Sequence, residues 1–381
     1  MPGAAFVERL TFDEVSQVLR CWAGGQGGQV GVLAFVPEGE NVAILQSACN
    51  AAGTHLGGAV FPAVIAEAGL RRQGVVLLNV GAAPPSLLIE GAASSETAGR
   101  VTEVIAEFVE SWGSAAEDAS LFCIFDGLDP MISSHLDRLY LRLADMVRYV
   151  GVNAGSDRFV SIPCLFDNSR QIAGGVLVQL LPGHPGAWLE HGFRAPEQFS
   201  TATSASGNRV VQIDWRPALD VYREMIHDQY GVAIDRDNFY RLAVNFPFGI
   251  LRADGEVQVR IPVALDEGGA IVCVGEIPPA SVLALLDARG KEQDAVVRLA
   301  ARLGEMAGTG ARIDDLLVFY CAGRRLQMGQ AAEAELRRLA ELTNPSGSFG
   351  ALTLGEIGTS RAGGYPLFHN ATIVGMPWSI H

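Results

Sequence analysis

The chain has 381 residues, long for one hydrophobic core and comfortable for two. Apolar residues make up 49% of it and mean hydropathy is +0.23, which excludes a disordered chain. A net charge of −14, with a pI near 5.0, excludes nucleic-acid and anionic-lipid partners, because both require clustered Lys and Arg.

No apolar run reaches bilayer-spanning length, so no membrane insertion is expected. Glu8, Asp13 and Glu14 stand where a signal peptide needs a basic start and an apolar core, so the expected location is cytoplasmic. Cys21, Cys49, Cys123, Cys164, Cys273 and Cys321 are scattered with no Cys-x-x-Cys pair, the pattern of reduced, mostly buried thiols.

Residues 11–23 predict a helix with Thr11 as N-cap and Glu14 three residues on. The glycines at 24–28 precede the strand at 30–36, whereas a dinucleotide fingerprint follows a strand, so they read as a turn. A helix at 39–52 and strands at 55–60, 75–79 and 86–90 come next, then a helix at 97–112 and a buried strand at 120–126. Residues 130–150 predict a second helix with Leu136, Leu139, Tyr140, Leu143, Met146 and Val147 on one side. A glycine turn at 151–156 and a strand at 175–181 follow.

The middle of the chain, residues 186–225, joins an aromatic-rich turn to a Ser/Thr loop, a strand and a helix. Val211, Ile213 and Trp215 share one face of the predicted strand at 210–215, and the helix at 218–230 begins after Pro217. The second half predicts strands at 240–248, 257–264, 270–274, 315–321, 352–356 and 371–374. Helices are predicted at 280–286, 291–306 and 329–342, the last exposing Glu333, Glu335, Arg337 and Arg338. The halves show no sequence repeat and no low-complexity linker. The fold class is therefore α/β (α+β), with two tightly packed domains, each a mixed sheet with helices against it.

Catalytic motifs are absent: there is no Gly-x-Ser-x-Gly elbow, P-loop, His-Glu-x-x-His or EF-hand loop, and the near miss at Ser346-Gly347-Ser348-Phe349-Gly350 has serine in the wrong place. No enzyme is expected. Among the histidines, His191 stands out because Trp188, Leu189 and Phe193 surround it beside the interdomain loop, with His184 just upstream. Its plainer alternative is a histidine bonded to a backbone carbonyl at a domain seam. Arg216 and Arg260, beside predicted strand ends, could hold a carboxylate, or serve as ordinary surface ion pairs.

The run His191-Gly192, a Thr-rich loop, Gly207-Asn208, Pro217-Ala218-Leu219 and the helical Tyr222 resembles the junction of the FIST N-terminal and C-terminal domains. Residues 149–156, Asn245-Phe246-Pro247-Phe248-Gly249-Ile250, Gly355-Glu356-Ile357-Gly358 and Phe368-His369-Asn370-Ala371-Thr372-Ile373 are similar to further segments of that family, in the right order from about residue 31 to the end. Arg260-Ile261-Pro262 departs from it, since many relatives have Arg-Asp-Pro.

The resemblance implies an N-terminal helix and turn at 1–30, a FIST N-terminal domain at 31–217 and a C-terminal domain at 218–381. It implies a cytosolic ligand-sensing protein of signal transduction. One branch of the family binds haem, senses nitric oxide and controls a histidine kinase. On that branch His191 would hold the iron of a non-covalent haem, Trp188 and Phe193 would line its pocket, and Arg216 and Arg260 would face its propionates. The alternative is a metal-free sensor of a small organic ligand such as an amino acid, using the arginines and the loop at 200–208. The sequence leaves oligomeric state open, a homo-oligomer included.

Overall fold

Eight elements recur three times along the chain in one order. The computed structural model describes residues 3–26, 31–91, 95–194, 196–253, 255–288, 294–307, 312–359 and 364–378. The first unit runs β1 (Ala4–Val7), α1 (Phe12–Gln26), β2 (Gly31–Pro37), α2 (Val42–Ala51), β3 (His55–Phe61), the hairpin β4 (Ala63–Ala66) and β5 (Gly69–Arg71), and β6 (Val75–Gly81). The second repeats it as β7 (Leu87–Glu90), α3 (Ser95–Glu110), β8 (Ala119–Asp126), α4 (Ile132–Leu143), β9 (Val147–Ala154), the hairpin β10 (Leu165–Asp167) and β11 (Gln171–Ile172), and β12 (Gly175–Leu181).

The third unit begins with β13 (Trp188–Glu190) and is then interrupted by an insertion, residues 191–293. Its strands and helices are β14 (Ser200–Thr201), β15 (Ser204–Ser206), β16 (Arg209–Ile213), β17 (Arg216–Pro217), α5 (Ala218–Tyr230), α6 (Phe239–Ala243), β18 (Phe248–Leu251), β19 (Val257–Arg260), β20 (Pro262–Leu265), β21 (Ile271–Cys273) and β22 (Val282–Leu285). The unit resumes with α7 (Asp294–Ala307), β23 (Asp315–Cys321), the helix pair α8 (Ala322–Met328) and α9 (Ala331–Thr343), β24 (Gly347–Thr353), the hairpin β25 (Glu356–Gly358) and β26 (Leu367–His369), and β27 (Ile373–Trp378).

Within each unit the helix between the two central strands makes a crossover, so those strands are parallel: β2 with β3, β8 with β9, β23 with β24. The last strand lies antiparallel beside the first central one, and the opening strand forms the far edge. The hairpin does not stay at home. The β4–β5 hairpin completes the third sheet beside β24, β25–β26 completes the second beside β9, and β10–β11 completes the first beside β3. The exchange is cyclic, so no unit closes its own sheet.

The three units meet on three phenylalanines at matching strand positions. Phe35, Phe122 and Phe319 stand opposite Ala59, Val150 and Ala351 in the three parallel pairs. Their ring centroids are 5.6 Å apart for Phe35–Phe319 and Phe122–Phe319, and 6.5 Å for Phe35–Phe122. Leu177, Leu317, Val374 and Trp378 extend the same buried cluster. The helices pack on the outer faces, where local capping sets their starts. Thr11 Oγ1 accepts the Glu14 N–H at 3.3 Å, as the sequence predicts, and Asn41 caps α2 by accepting the Ala43 N–H at 3.1 Å.

The insertion encloses a second core around the fully buried Tyr222, whose hydroxyl donates to the Phe246 carbonyl at 2.7 Å. Two antiparallel sheets, in the orders β14-β22-β18-β19 and β15-β16-β21-β20, frame it with α5.

The elements follow the sequence pattern in most places, and the departures have local causes. The helix predicted over 130–150 stops at Leu143, where Ala144 turns to φ +46°, and Val147–Ala154 becomes the central strand β9. Gly151 therefore lies inside a strand, where an added Cβ would overlap the Cys123 carbonyl. Residues 282–285 form a strand, not a helix, because the short apolar run pairs with β18 and β14. Residues 239–243 form a short helix before β18. The strand at 257–264 splits at Ile261 between two sheets. Trp215 is not on the strand face: Asp214 and Trp215 both take positive φ at a hairpin tip, and Trp215 is exposed. Glu335 is buried, not on the solvated helix face.

Because every sheet borrows a hairpin, the three units should unfold together. Phe319→Ala removes a ring from their shared centre and should cost about 3–5 kcal/mol. In a denaturant titration the core should still unfold in one transition, shifted to lower concentration.

Candidate functional site

The insertion is fastened to the three-unit core by buried polar groups and by a small apolar cluster. Arg324, fully buried at the start of α8, makes a bidentate pair with Glu335 at 2.7 and 2.9 Å, and donates to the His191 carbonyl at 2.9 Å and the Ala371 carbonyl at 3.3 Å. Tyr320 adds its hydroxyl to Glu335 at 2.5 Å. This cluster ties together β23, α8, α9, the turn before β27 and the point where the chain leaves β13 for the insertion. Gln258 donates to the Phe368 carbonyl, Asn370 Oδ1 accepts the Ile261 N–H, and Gln327 donates to the Val244 carbonyl. Phe193, Val244, Val259, Ile261 and Ala371 pack between these bonds.

The sequence-predicted residues do not converge on one site. Arg260 is fully buried and donates to the Glu276 and Phe368 carbonyls, the Val259 carbonyl and Ser133 Oγ, while lying 5.0 Å from the Phe368 ring centroid. No carboxylate reaches it among the described residues, and burial pushes its guanidinium down to about 10. It clamps the seam and does not face a ligand. Arg216 is exposed and makes a bidentate surface pair with Glu224 at 2.8 and 2.5 Å. Trp188 is buried on β13 against a different helix, with Arg302 5.0 Å from its ring centroid. Phe193 is buried in the seam. The loop at 200–208 is built into β14, β15 and the turn at Gly207.

His191 is half-buried beside this seam. Its Nδ1 accepts the Phe193 N–H at 2.9 Å, and its ring lies 5.8 Å from Phe193 and 6.1 Å from His369. A haem here would need an open slot beside the imidazole. Phe193 and His369 occupy that space, and neither cleft described below is lined by a histidine. The residues in this arrangement do not fit a haem at His191. Among the described residues no group of three or more His, Cys, Asp or Glu side chains is placed to hold a metal ion.

Two surface clefts among the described residues bear on the predicted site and the seam. One, of about 1030 Å³, lies between α4, β9 and β13 and includes Trp188, Tyr140, Met146 and Arg148. The other encloses about 670 Å³ and lies on the seam itself. From the core it takes Phe159, Ala322, Leu352 and Leu354; from the insertion it takes Tyr240, Val244, Ile261 and Val263. It sits beyond the carboxyl ends of the parallel strands β23 and β24, where open α/β sheets bind ligands. Such pockets span about 300–1,000 Å³ and are mostly apolar with a few polar groups.

Cys321 forms part of the cleft floor. Its Sγ accepts the Ala371 N–H at 3.1 Å, and burial pushes the thiol up to about 12, which keeps it protonated. Behind it Glu356 is fully buried and accepts the hydroxyls of Thr353 and Thr372; burial pushes its carboxyl up to about 7. Sequence reading missed the cleft residues. The available signal was the step from strand to small residues at Cys321-Ala322-Gly323, just where β23 ends.

Fold and site define a two-body α/β protein with an apolar cleft on the seam between its bodies. The chain matches the FIST N domain over residues 31–216 and the FIST C domain over residues 218–359, and it belongs to the FIST family. That membership marks it as a signal-transduction sensor. No curated protein matches the chain. The boundary between the two family domains falls inside the insertion, and the three-unit core draws strands from both. No helix among the described residues is long and apolar enough to cross a membrane.

Two expectations follow from the seam. Arg324→Met leaves Glu335 buried without its cation and should cost about 3–5 kcal/mol, while the double change with Glu335→Leu should recover most of the loss in the same denaturation assay. His369 is fully buried on β26, its Nε2 is 3.8 Å from Glu256, and neither ring nitrogen has a hydrogen-bond partner among the described residues. Burial, then the nearby His191, Arg260 and Arg252, hold its imidazole well below the usual range. The unfolded chain takes up a proton as pH falls through about 6.5 and the folded chain does not, so His369 withdraws stability on acidification. Melting temperatures from pH 7.5 to 5.5 should fall less in His369→Leu than in the wild type.

Proposed function

We propose that this protein senses a small ligand in the seam cleft and signals by resetting the insertion against the three-unit core. The observation that carries the reading is that the cleft walls come from both bodies, so an occupant touches each of them and differs in affinity between open and closed seams. A ligand that favours one arrangement shifts the population towards it without any covalent step. Gly323 marks how closely the bodies approach: a Cβ there would overlap Ile261 Cδ1 across the seam. The output is contact with a partner signalling protein, and a histidine kinase is the partner to test first.

The test uses the neutral fluorescent probe N-phenyl-1-naphthylamine. Its emission should rise on binding the wild type and stay near the free-probe level with Ala322→Trp, which fills the cleft from the end of β23. Equal enhancement in both, with equal melting temperatures, would contradict the cleft as the sensing site. A Soret band formed on haem addition and lost in His191→Ala would move the input to that histidine instead.

A further inference from the structure

The cleft also holds a cation that no other described residue pairs with. Arg325, half-buried on α8, lines the cleft beside Leu326, and among the described residues its guanidinium makes no ion pair and no hydrogen bond. Apart from the Tyr240 phenol, the other polar side chains of the lining are committed. Asn370 accepts from Ile261 and donates to the His369 carbonyl, Cys321 accepts from Ala371, and Asp157 is paired with Arg72 at 3.7 Å. Arg324, the next residue back, is turned into the seam and saturated by Glu335 and two carbonyls. Glu333, the nearest acid along the helices, is paired with Arg337 at 3.5 Å.

Resting on the cleft reading above, we infer that its ligand is a monocarboxylate with an apolar body. The carboxylate would sit on Arg325, whose planar guanidinium matches it in two parallel hydrogen bonds, and the apolar body would lie among Phe159, Val244, Ile261, Val263 and Leu352. Tyr240, on the same wall, presents a phenol that stays a donor, because burial and the Asp157 charge raise its pKa above the usual range. A zwitterion is a poorer match, since the one acid of the lining, Asp157, already has Arg72 as its cation. A dicarboxylate is poorer still, because its second charge would be placed among apolar side chains.

The binding partners of choice for a test are octanoate and octanol, which share a body and differ in the head group. Each is titrated against wild-type protein carrying bound N-phenyl-1-naphthylamine. Octanoate should displace the probe at a concentration about tenfold lower than octanol, as expected for one charge-assisted bidentate contact. In Arg325→Met the octanoate advantage should vanish while octanol displacement and probe binding persist; Arg325→Lys should retain part of it. Equal displacement by both compounds in the wild type would overturn the carboxylate assignment and leave the cleft reading standing. Failure of the probe and of both compounds to bind would overturn both. An octanoate advantage that survives Arg325→Met would place the carboxylate elsewhere and contradict the role given to Arg325.

Discussion

The packing of Phe35, Phe122 and Phe319 is the constraint on which the rest of the molecule depends. Each ring comes from the first central strand of one unit, and each unit is incomplete because its fifth and sixth sheet strands are a neighbour's hairpin. A βαβ pair with one antiparallel neighbour leaves an open edge and a half-covered apolar face. Passing hairpins around a closed cycle covers all three edges with the chain's own strands. It also buries all three faces in one shared centre.

That arrangement explains why the seam cleft lies where it does. An insertion of about a quarter of the chain can be accommodated only at a loop that the cycle does not use, and the step from β13 to α7 in the third unit is such a loop. The inserted body then has to be held against the core, and buried arginines do so. Arg324 bonds to His191 at the exit from the core, and Arg260 bonds to the Phe368 carbonyl and Ser133 from the other side. Arg260 acts on neutral carbonyls and a hydroxyl, and Arg324 joins the Glu335 carboxylate to two carbonyls, so the seam is specific without being a dry hydrophobic weld. Between the clamps the walls diverge and leave the apolar cleft. A seam fastened at discrete points and open between them is suited to a small change of angle.

Much of the fold was legible in the sequence because local pattern decides it. Strands such as Val75–Gly81, Ala119–Asp126 and Asp315–Cys321, and the helix Ala218–Tyr230, follow apolar periodicity closely. The threefold repeat was not legible. The units share topology and a phenylalanine at matching strand positions, but their hairpins read AVIA/GLR, LFD/QI and EIG/LFH with no common pattern, and the third unit is split by the insertion. Non-local pairing also hid the buried roles of Glu335, whose helix looks solvated until Arg324 is placed beside it, and of Arg260, which reads as a free cation beside a strand end. The seam cleft was hidden in the sequence for a related reason. His191 draws attention through its aromatic neighbours, whereas the cleft is assembled from residues more than a hundred positions apart, with Arg325 unpaired among the described residues.

The most direct test of a sensing seam is a distance between the two bodies. Val211 on the insertion and Leu141 on α4 are both exposed, and Cys21 is the exposed cysteine to be replaced by serine before spin labels are attached at Val211→Cys and Leu141→Cys. Pulsed dipolar spectroscopy then reports the distribution with and without octanoate. A shifted or narrowed distribution on addition is the predicted result. Superimposable distributions, at a concentration where octanoate occupies the cleft, would show that the seam does not respond and would contradict the account.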